Sequence, residues 1–252
     1  MAEKNPVACN GPAQWGAAFF SIILFWHGIS LLLDSPVLPV PGEAIAAFFS
    51  GFTRLYPHLQ VSAFRVLGSL VIALSLGVPA GILIGRLRKL DAFTSPLLYL
   101  TYPIPKIALL PVLLGILGLG ESPRYILISM IIFYQILVTT RDAVREVNRH
   151  LISSTISLGA GEKDLFTHVY FPAALPQIFT ALRISLGTAL SVLFLTETFN
   201  TNYGIGHYIL DASMRGNYKD VFAGIMGMSL LGFALFITID FAEKKICPWQ
   251  GK

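Results

Sequence analysis

The sequence predicts an all-α membrane protein with six transmembrane helices. Of its 252 residues 54% are apolar and only 13% charged, and its mean hydropathy is +0.68, whereas charged residues make up about a quarter of a soluble domain. The apolar residues gather in runs close to the roughly 20 residues that cross a hydrocarbon core. The basic residues lie between those runs, with no interleaved aromatics, so a net charge of +4 reads as membrane topology and excludes nucleic acid as a partner.

Residues 1–14 form a polar tail, too poor in apolar residues for a signal peptide. Residues 15–33 are the first span. The next runs are 62–84, 97–119, 125–140, 176–199 and 221–239, and 240–252 form the second tail. Gly77, Gly81 and Gly85 recur every four residues along one face of the second span, a spacing that lets another helix approach closely. The third span holds Pro103, Pro105 and Pro111, which kink or break a helix. Its crossing starts either at Leu97 or near Pro103, and in the second case 91–102 lies along the interface. The fourth run is short for a bilayer. Trp15, Trp26 and Trp249 lie at or near span ends or in the tail, where indole rings suit the interface.

Six spans place both termini on one side. The segments on that side hold Lys4, Arg86, Arg88, Lys89, Arg141, Arg145, Arg149, Lys163, Lys244, Lys245 and Lys252, eleven basic residues against four (Arg54, Arg124, Arg215 and Lys219) on the other. Positive charge resists translocation, so both tails and the loops after spans two and four are expected in the cytoplasm. Cys9 and Cys247, one in each tail, then stay reduced. The five histidines have no metal-ligand spacing, so no metal site is expected. The chain has no G-x-x-x-x-G-K-[ST] phosphate loop, and its energy is expected to come from another chain.

The cytoplasmic segment 141–175 is too long for a tight connection. Gly159 and Gly161 separate two helical stretches, 142–158 and 162–169, the second with Leu165, Phe166 and Val169 on one face and Glu162, Lys163 and Asp164 near its start. Pro172 and Pro176 are expected to stop that helix.

Ser157-Leu158-Gly159-Ala160, Leu165-Phe166, Val169, the run Phe171-Pro172-Ala173-Ala174-Leu175-Pro176, and Ala181 to Gly187 resemble the loop of binding-protein-dependent transport permeases. There the pattern runs E-A-A-x-x-x-G, about nine residues, then I-x-L-P. Gly159 takes the place of the glycine and Pro172 that of the proline. Pro103-Ile104-Pro105-Lys106, Pro111, Gly118 to Glu121, Ser62 with Arg65, and Glu197 followed by Gly204-Ile205-Gly206 further resemble the nitrate, sulfonate and taurine branch.

The resemblance implies a type I ABC importer permease: a five-helix core over 62–239, an accessory helix over 15–33, and a translocation pathway built with a second permease copy. It also implies two separate ATPase subunits carrying ATP and Mg, a periplasmic substrate-binding protein, and residence in the bacterial inner membrane. The cargo would be a small anion such as nitrate, sulfonate, taurine or bicarbonate; a neutral solute or vitamin precursor is the alternative. The ATPase would dock on Ser153, Ser154, Thr155, Leu158, Gly159, Glu162, Lys163, Phe166 and Pro172. Ser153, Ser154 and Thr155 replace the family's Glu-Ala-Ala, so the acid aimed at the ATPase is missing; the partner surface differs, Glu162 or Glu146 substitutes for it, or the contact relies on shape.

Arg65, Pro103, Pro105, Lys106 and Glu197 are the pathway candidates. A charge inside a span faces an interior or an aqueous cavity; Lys106 does this or snorkels to the interface, depending on where the third crossing starts. Glu197 lies 21 residues after Pro176, about 32 Å of helix. That places it level with Arg65, so the two are expected to pair, or Glu197 closes an outer gate. An intramembrane enzyme would need a polar cluster at depth, and the only scattered candidates are Lys106, Glu197 and Asp240. A receptor or structural subunit would not need the Gly159 to Pro172 spacing.

Overall fold

The computed structural model describes residues 12–249, and every regular element among them is helical. Helix α1 (Pro12–Leu33) is followed by a short α2 (Pro41–Ser50), the long α3 (Phe52–Arg86), and α4 (Arg88–Thr101). A single 3-10 turn (Lys106–Leu109) leads into α5 (Leu110–Leu117) and then α6 (Ser122–Arg145). After α7 (Arg149–Ser157) come α8 (Glu162–Leu165), a π-helical turn (Phe166–Tyr170), α9 (Phe171–Glu197), α10 (Ile205–Met214) and α11 (Tyr218–Ile246).

Five helices are long and apolar enough to cross a membrane: α1, α3, α6, the continuous rod from Glu162 to Glu197, and α11. A sixth crossing exists only if α4 and the segment Lys106–Leu117, bent by 80° to each other, count as one. The third apolar run is therefore a sharp corner and not a straight span. Pro103 and Pro105 lie in the four-residue link, where neither ring must fit a helix interior, and Pro111 sits in the first turn of α5, where a missing N–H costs nothing. All three are exposed.

Three further expectations change. The second span begins at Phe52, ten residues before the apolar run, because Phe52 to Val61 is amphipathic and escapes a hydropathy reading; Leu55 in that stretch is fully buried. The fourth span is not short, since α6 continues past Thr140 to Arg145 on an ion pair between Arg141 and Asp91 of α4 (2.5 Å). The first loop helix does not run unbroken from Asp142. It breaks at Glu146 and restarts at Arg149, where the Asn148 side chain accepts the His150 N–H (2.8 Å).

Pro172 and Pro176 do not stop the loop helix either. Pro172 occupies the first turn of α9, and the π turn just before it widens the coil where the ring would crowd the previous turn.

The core is shared by α3, α6 and α9. Val66, Ala73, Leu127, Ile128, Ile132, Ile136, Ala174, Ala189 and Leu193 are fully buried in it. Half of the most apolar window of α6 and of the rod is buried, against 6% for α1, which meets its neighbours mainly through Trp26. That indole stacks on Phe222 of α11 at 5.2 Å and donates to the Pro39 carbonyl (3.1 Å).

In a bilayer lipid is as apolar as leucine, so helices associate through close packing. The glycine stripe provides it between α3 and α6. A methyl at Gly81 would stand 2.7 Å from Thr140 Cβ and 2.8 Å from the Leu137 carbonyl, and one at Gly85 would stand 2.5 Å from the Arg141 carbonyl. Gly81→Leu should destabilise the purified protein by about 1–3 kcal/mol. Gly187→Ala, with no heavy atom within 4 Å of the added methyl, should leave its thermal unfolding in detergent unchanged. Equal melting temperatures for the two variants would remove the stripe from the α3–α6 contact.

Candidate functional site

The predicted residues fall at two ends of the bundle. From Arg86, beside the 141–175 loop, to Arg65 is 21 residues of α3, roughly 32 Å, close to the thickness of a hydrocarbon core.

At the loop end, α7 buries none of its residues. Ser153, Ser154, Leu158, Gly159, Glu162 and Lys163 are exposed, while Thr155, Phe166 and Pro172 are half-buried at the base of the loop. Of the apolar side chains of α7, Ile152 packs on the core while Leu151 and Ile156 are each 52% exposed, and Leu158 just after the helix is 88% exposed. Ser157 donates to the Ser153 carbonyl (3.0 Å) and Thr155 to the Leu151 carbonyl (2.8 Å), so those hydroxyls serve the helix itself. Gly159 turns the chain at φ +87°. Glu162, one of the candidates for the missing acid, is tied to Arg86 of α3, and Asp164 takes the Gly161 N–H (3.0 Å). Glu146 is exposed and in no ion pair among the described residues.

The pathway candidates divide into two groups. Lys106 is half-buried at the α4–α5 corner, with its ammonium 4.2 Å from the centroid of the Tyr134 ring and 3.3 Å from the Tyr102 carbonyl. It caps the open end of α4 and lies over an aromatic face, and both contacts favour a cation. Arg65 and Glu197 meet at the far end of the bundle. Ten residues of α6, roughly 15 Å, separate Tyr134 from Arg124 of that second group.

Arg65 and Glu197 are 1% and 0% exposed and lie 2.8 Å apart. All five guanidinium N–H groups of Arg65 have an acceptor. Nε and Nη2 form a two-pronged pair with Glu121 (2.7 and 2.6 Å), Nη1 reaches Glu197 and the Tyr203 carbonyl (both 2.8 Å), and Nη2 also reaches Thr201 (3.2 Å). Glu197 is equally occupied. The Ser62 hydroxyl lies 2.8 and 2.9 Å from its two oxygens, and the Gly206 N–H at the start of α10 donates at 2.9 Å, adding the positive end of a helix. Gly204, at φ +129°, must be glycine, since a side chain there would overlap the Glu197 carboxyl.

Sequence reasoning found this pair and missed Arg124. Its guanidinium, 1% exposed, donates to the carbonyls of Gly120 (2.7 Å), Phe199 (2.9 Å) and Asn200 (2.8 Å). The available signal was a second arginine three residues after Glu121, which reads as an ordinary loop charge until the α9–α10 loop is seen folded over it. An open cavity of about 460 Å³ adjoins the cluster, lined by Arg65, Glu121, Arg124, Thr201, Asn202 and Tyr203 among others.

Removing one partner of a buried pair leaves the other charge uncompensated, at a cost of about 3–5 kcal/mol. Glu197→Ala and Arg65→Ala should each show that loss in thermal unfolding, and the double variant much less than their sum. Arg65→Lys should not rescue, because an ammonium cannot form the two-pronged contact to Glu121. Additive losses in the double variant would show the pair to be uncoupled.

Glu121, in the loop before α6, is held below the ordinary carboxylate range by its hydrogen bonds from Arg65, against the opposing effect of partial burial. The stability it contributes is complete above its ordinary pKa of about 4.5 and is lost as pH falls through the lower folded value. Thermal unfolding followed downward from pH 7 should fall off below that range in the native protein and flatten there in Glu121→Gln; parallel profiles would remove Glu121 from the acid response.

The chain is 29% identical to the taurine transport system permease protein of Escherichia coli (strain K12), over 92% of this chain and 87% of that one. It is 28% identical to a Bacillus subtilis (strain 168) permease named for aliphatic sulfonates transport, over 91% and 85%. It is 25% identical to the formylaminopyrimidine transport permease protein of Halalkalibacterium halodurans, over 93% and 94%. Residues 77–247, about two thirds of the chain, match the family described as binding-protein-dependent transport system inner membrane component, with the exposed α7 and with Glu121, Arg124 and Glu197 inside the matched region and Ser62 and Arg65 before it, and the chain belongs to that family.

Proposed function

We propose that two copies of this permease form the translocation pathway of an importer for small organic anions of the sulfonate class. Two ATPase subunits, holding ATP and Mg, dock on the 141–175 loop, and a binding protein delivers cargo at the opposite face. The observation that carries this reading is α7. This nine-residue helix anchors through a half-buried Ile152, and it and the turn after it leave Leu151, Ile156 and Leu158 exposed. Apolar side chains grouped in this way mark a surface that another protein covers.

The distribution of basic residues supports a cytoplasmic α7 and cytoplasmic termini. The Arg65–Glu197 cluster then lies toward the periplasm. In this arrangement α1 is the accessory helix before the 62–239 core, and 1–14 and 240–252 are the tails. The ATPase contact rests on the exposed apolar side chains, with Glu146 as the acid available to it, since the hydroxyls of Thr155 and Ser157 are spent within the helix and Glu162 is held by Arg86. Lys106 and the cluster contribute two separate levels of the pathway. The sulfonate class follows from the taurine and sulfonates relatives; the formylaminopyrimidine relative supports the alternative of an uncharged heterocycle.

In proteoliposomes holding the permease with its ATPase, ATP hydrolysis should rise with added binding protein, and taurine or a short alkanesulfonate should accumulate. Uptake of a formylaminopyrimidine in its place would replace the solute class alone. Leu158→Asp and Gly159→Pro should reduce ATPase co-purification by tenfold or more, while the Leu158→Asp permease alone should unfold at an unchanged temperature, since that side chain is 88% exposed. An intact complex from both variants would overturn the docking surface.

A further inference from the structure

A second charged feature lies between the 141–175 loop and the ends of α3 and α4, on residues to which the proposal above gives no separate role. The ends of α3, α4, α6 and α7 enclose a cleft of about 410 Å³ lined by Arg86, Arg88, Arg145 and Arg149, with Asp91 and Tyr170. Asp91 is occupied by Arg141 (2.5 Å) and Arg145 (3.2 Å), and Arg86 is paired with Glu162. Arg88 and Arg149 are exposed and have no ion-pair partner among the described residues. The cleft thus holds two uncompensated guanidinium groups, the planar donors that suit a phosphate.

Arg88 also lines a second cavity of about 510 Å³, and there the other walls are Leu87, Lys89, Leu90 and Phe93. Phe93 is 70% exposed. A basic cleft and an apolar groove therefore share one arginine. Arg86 and Arg145 are the last residues of α3 and α6, so the cleft stands where spans end and headgroups begin.

We propose that this pair of cavities binds an anionic phospholipid. Its phosphate sits among Arg86, Arg88, Arg145 and Arg149, and an acyl chain lies along Leu87, Leu90 and Phe93. A soluble phosphate would satisfy the cleft and leave the groove empty, and an acidic protein surface would do the same. Basic pockets at the ends of spans are suited to lipid headgroups, with each arginine strengthening the attraction.

The full-length protein, purified in detergent, would be mixed with phosphatidylglycerol or phosphatidylcholine, and the retained lipid measured by native mass spectrometry. The native chain should retain phosphatidylglycerol preferentially. Arg88→Gln with Arg149→Gln should lower that retention on the order of tenfold or more. Both side chains are exposed, so folding should persist, and melting temperature checks it. Lys244→Gln with Lys245→Gln removes the same charge from the end of α11 and should retain the lipid. Phe93→Ser should also lose it, with all the arginines in place. Equal retention of the two lipids, an equal loss in the lysine pair, or full displacement by millimolar inorganic phosphate would each overturn the proposal.

Discussion

Arg65 cannot stand out of solvent in the end of a helical bundle unless every one of its donors is met, and the surrounding structure is arranged around that requirement. Its acceptors come from the α5–α6 loop, from the end of α9 and from the α9–α10 loop. Meeting them fixes where each segment ends. Glu197 in turn needs Ser62 and the first turn of α10, which explains why α10 begins where it does and why Gly204 precedes it. Within a membrane, where apolar burial adds little to helix association, such a set of charged contacts is worth more as a specifier of position than as a source of stability.

The glycine stripe does the complementary work at the other end of α3. Close backbone approach brings α6 within reach, and Asp91 of α4 then meets Arg141 and Arg145 at the end of α6. The chain is therefore fastened by charges at both ends and by packing between them. α1 and α7 have few such attachments. α1 buries almost nothing, which leaves it to lipid or to another chain, while α7 meets the core through the half-buried Ile152.

Much of this was legible in the sequence because the membrane imposes simple rules on composition. Long apolar runs, basic residues at one set of ends, and small residues at four-residue spacing have one physical meaning each, and α1, α3, α6, α9 and α11 follow from them. The Arg65–Glu197 pair was legible because a charge at depth demands a partner. The illegible parts are those in which chain direction changes without a change in hydropathy. The 80° corner between α4 and the segment before α5 has the same apolar character as a straight span. The amphipathic start of α3 has too little of it. Arg124 was hidden because its acceptors are backbone carbonyls of a loop 75 residues away, which no residue pattern announces. Pro172 reads as a terminator because the π turn that accommodates it leaves no compositional mark, and Pro176 because a proline inside a continuing helix carries the same signal as one that ends it.

That π turn has a mechanical consequence. The rod from Glu162 to Glu197 carries a continuous helical connection between the 141–175 loop and the buried ion cluster, but its hydrogen-bond ladder is not uniform. Pro172 and Pro176 each lack an amide, so the carbonyls of His168 and Pro172 receive no bond from four residues ahead. Stiffness is therefore lowest within one stretch near the loop, while the remainder of α9 keeps a full ladder. Force applied to α8 along the axis is transmitted, whereas a sideways push is absorbed at this softer stretch. The rod is thus a helix with a flexure at its foot, softer next to the loop and stiffer toward the cluster.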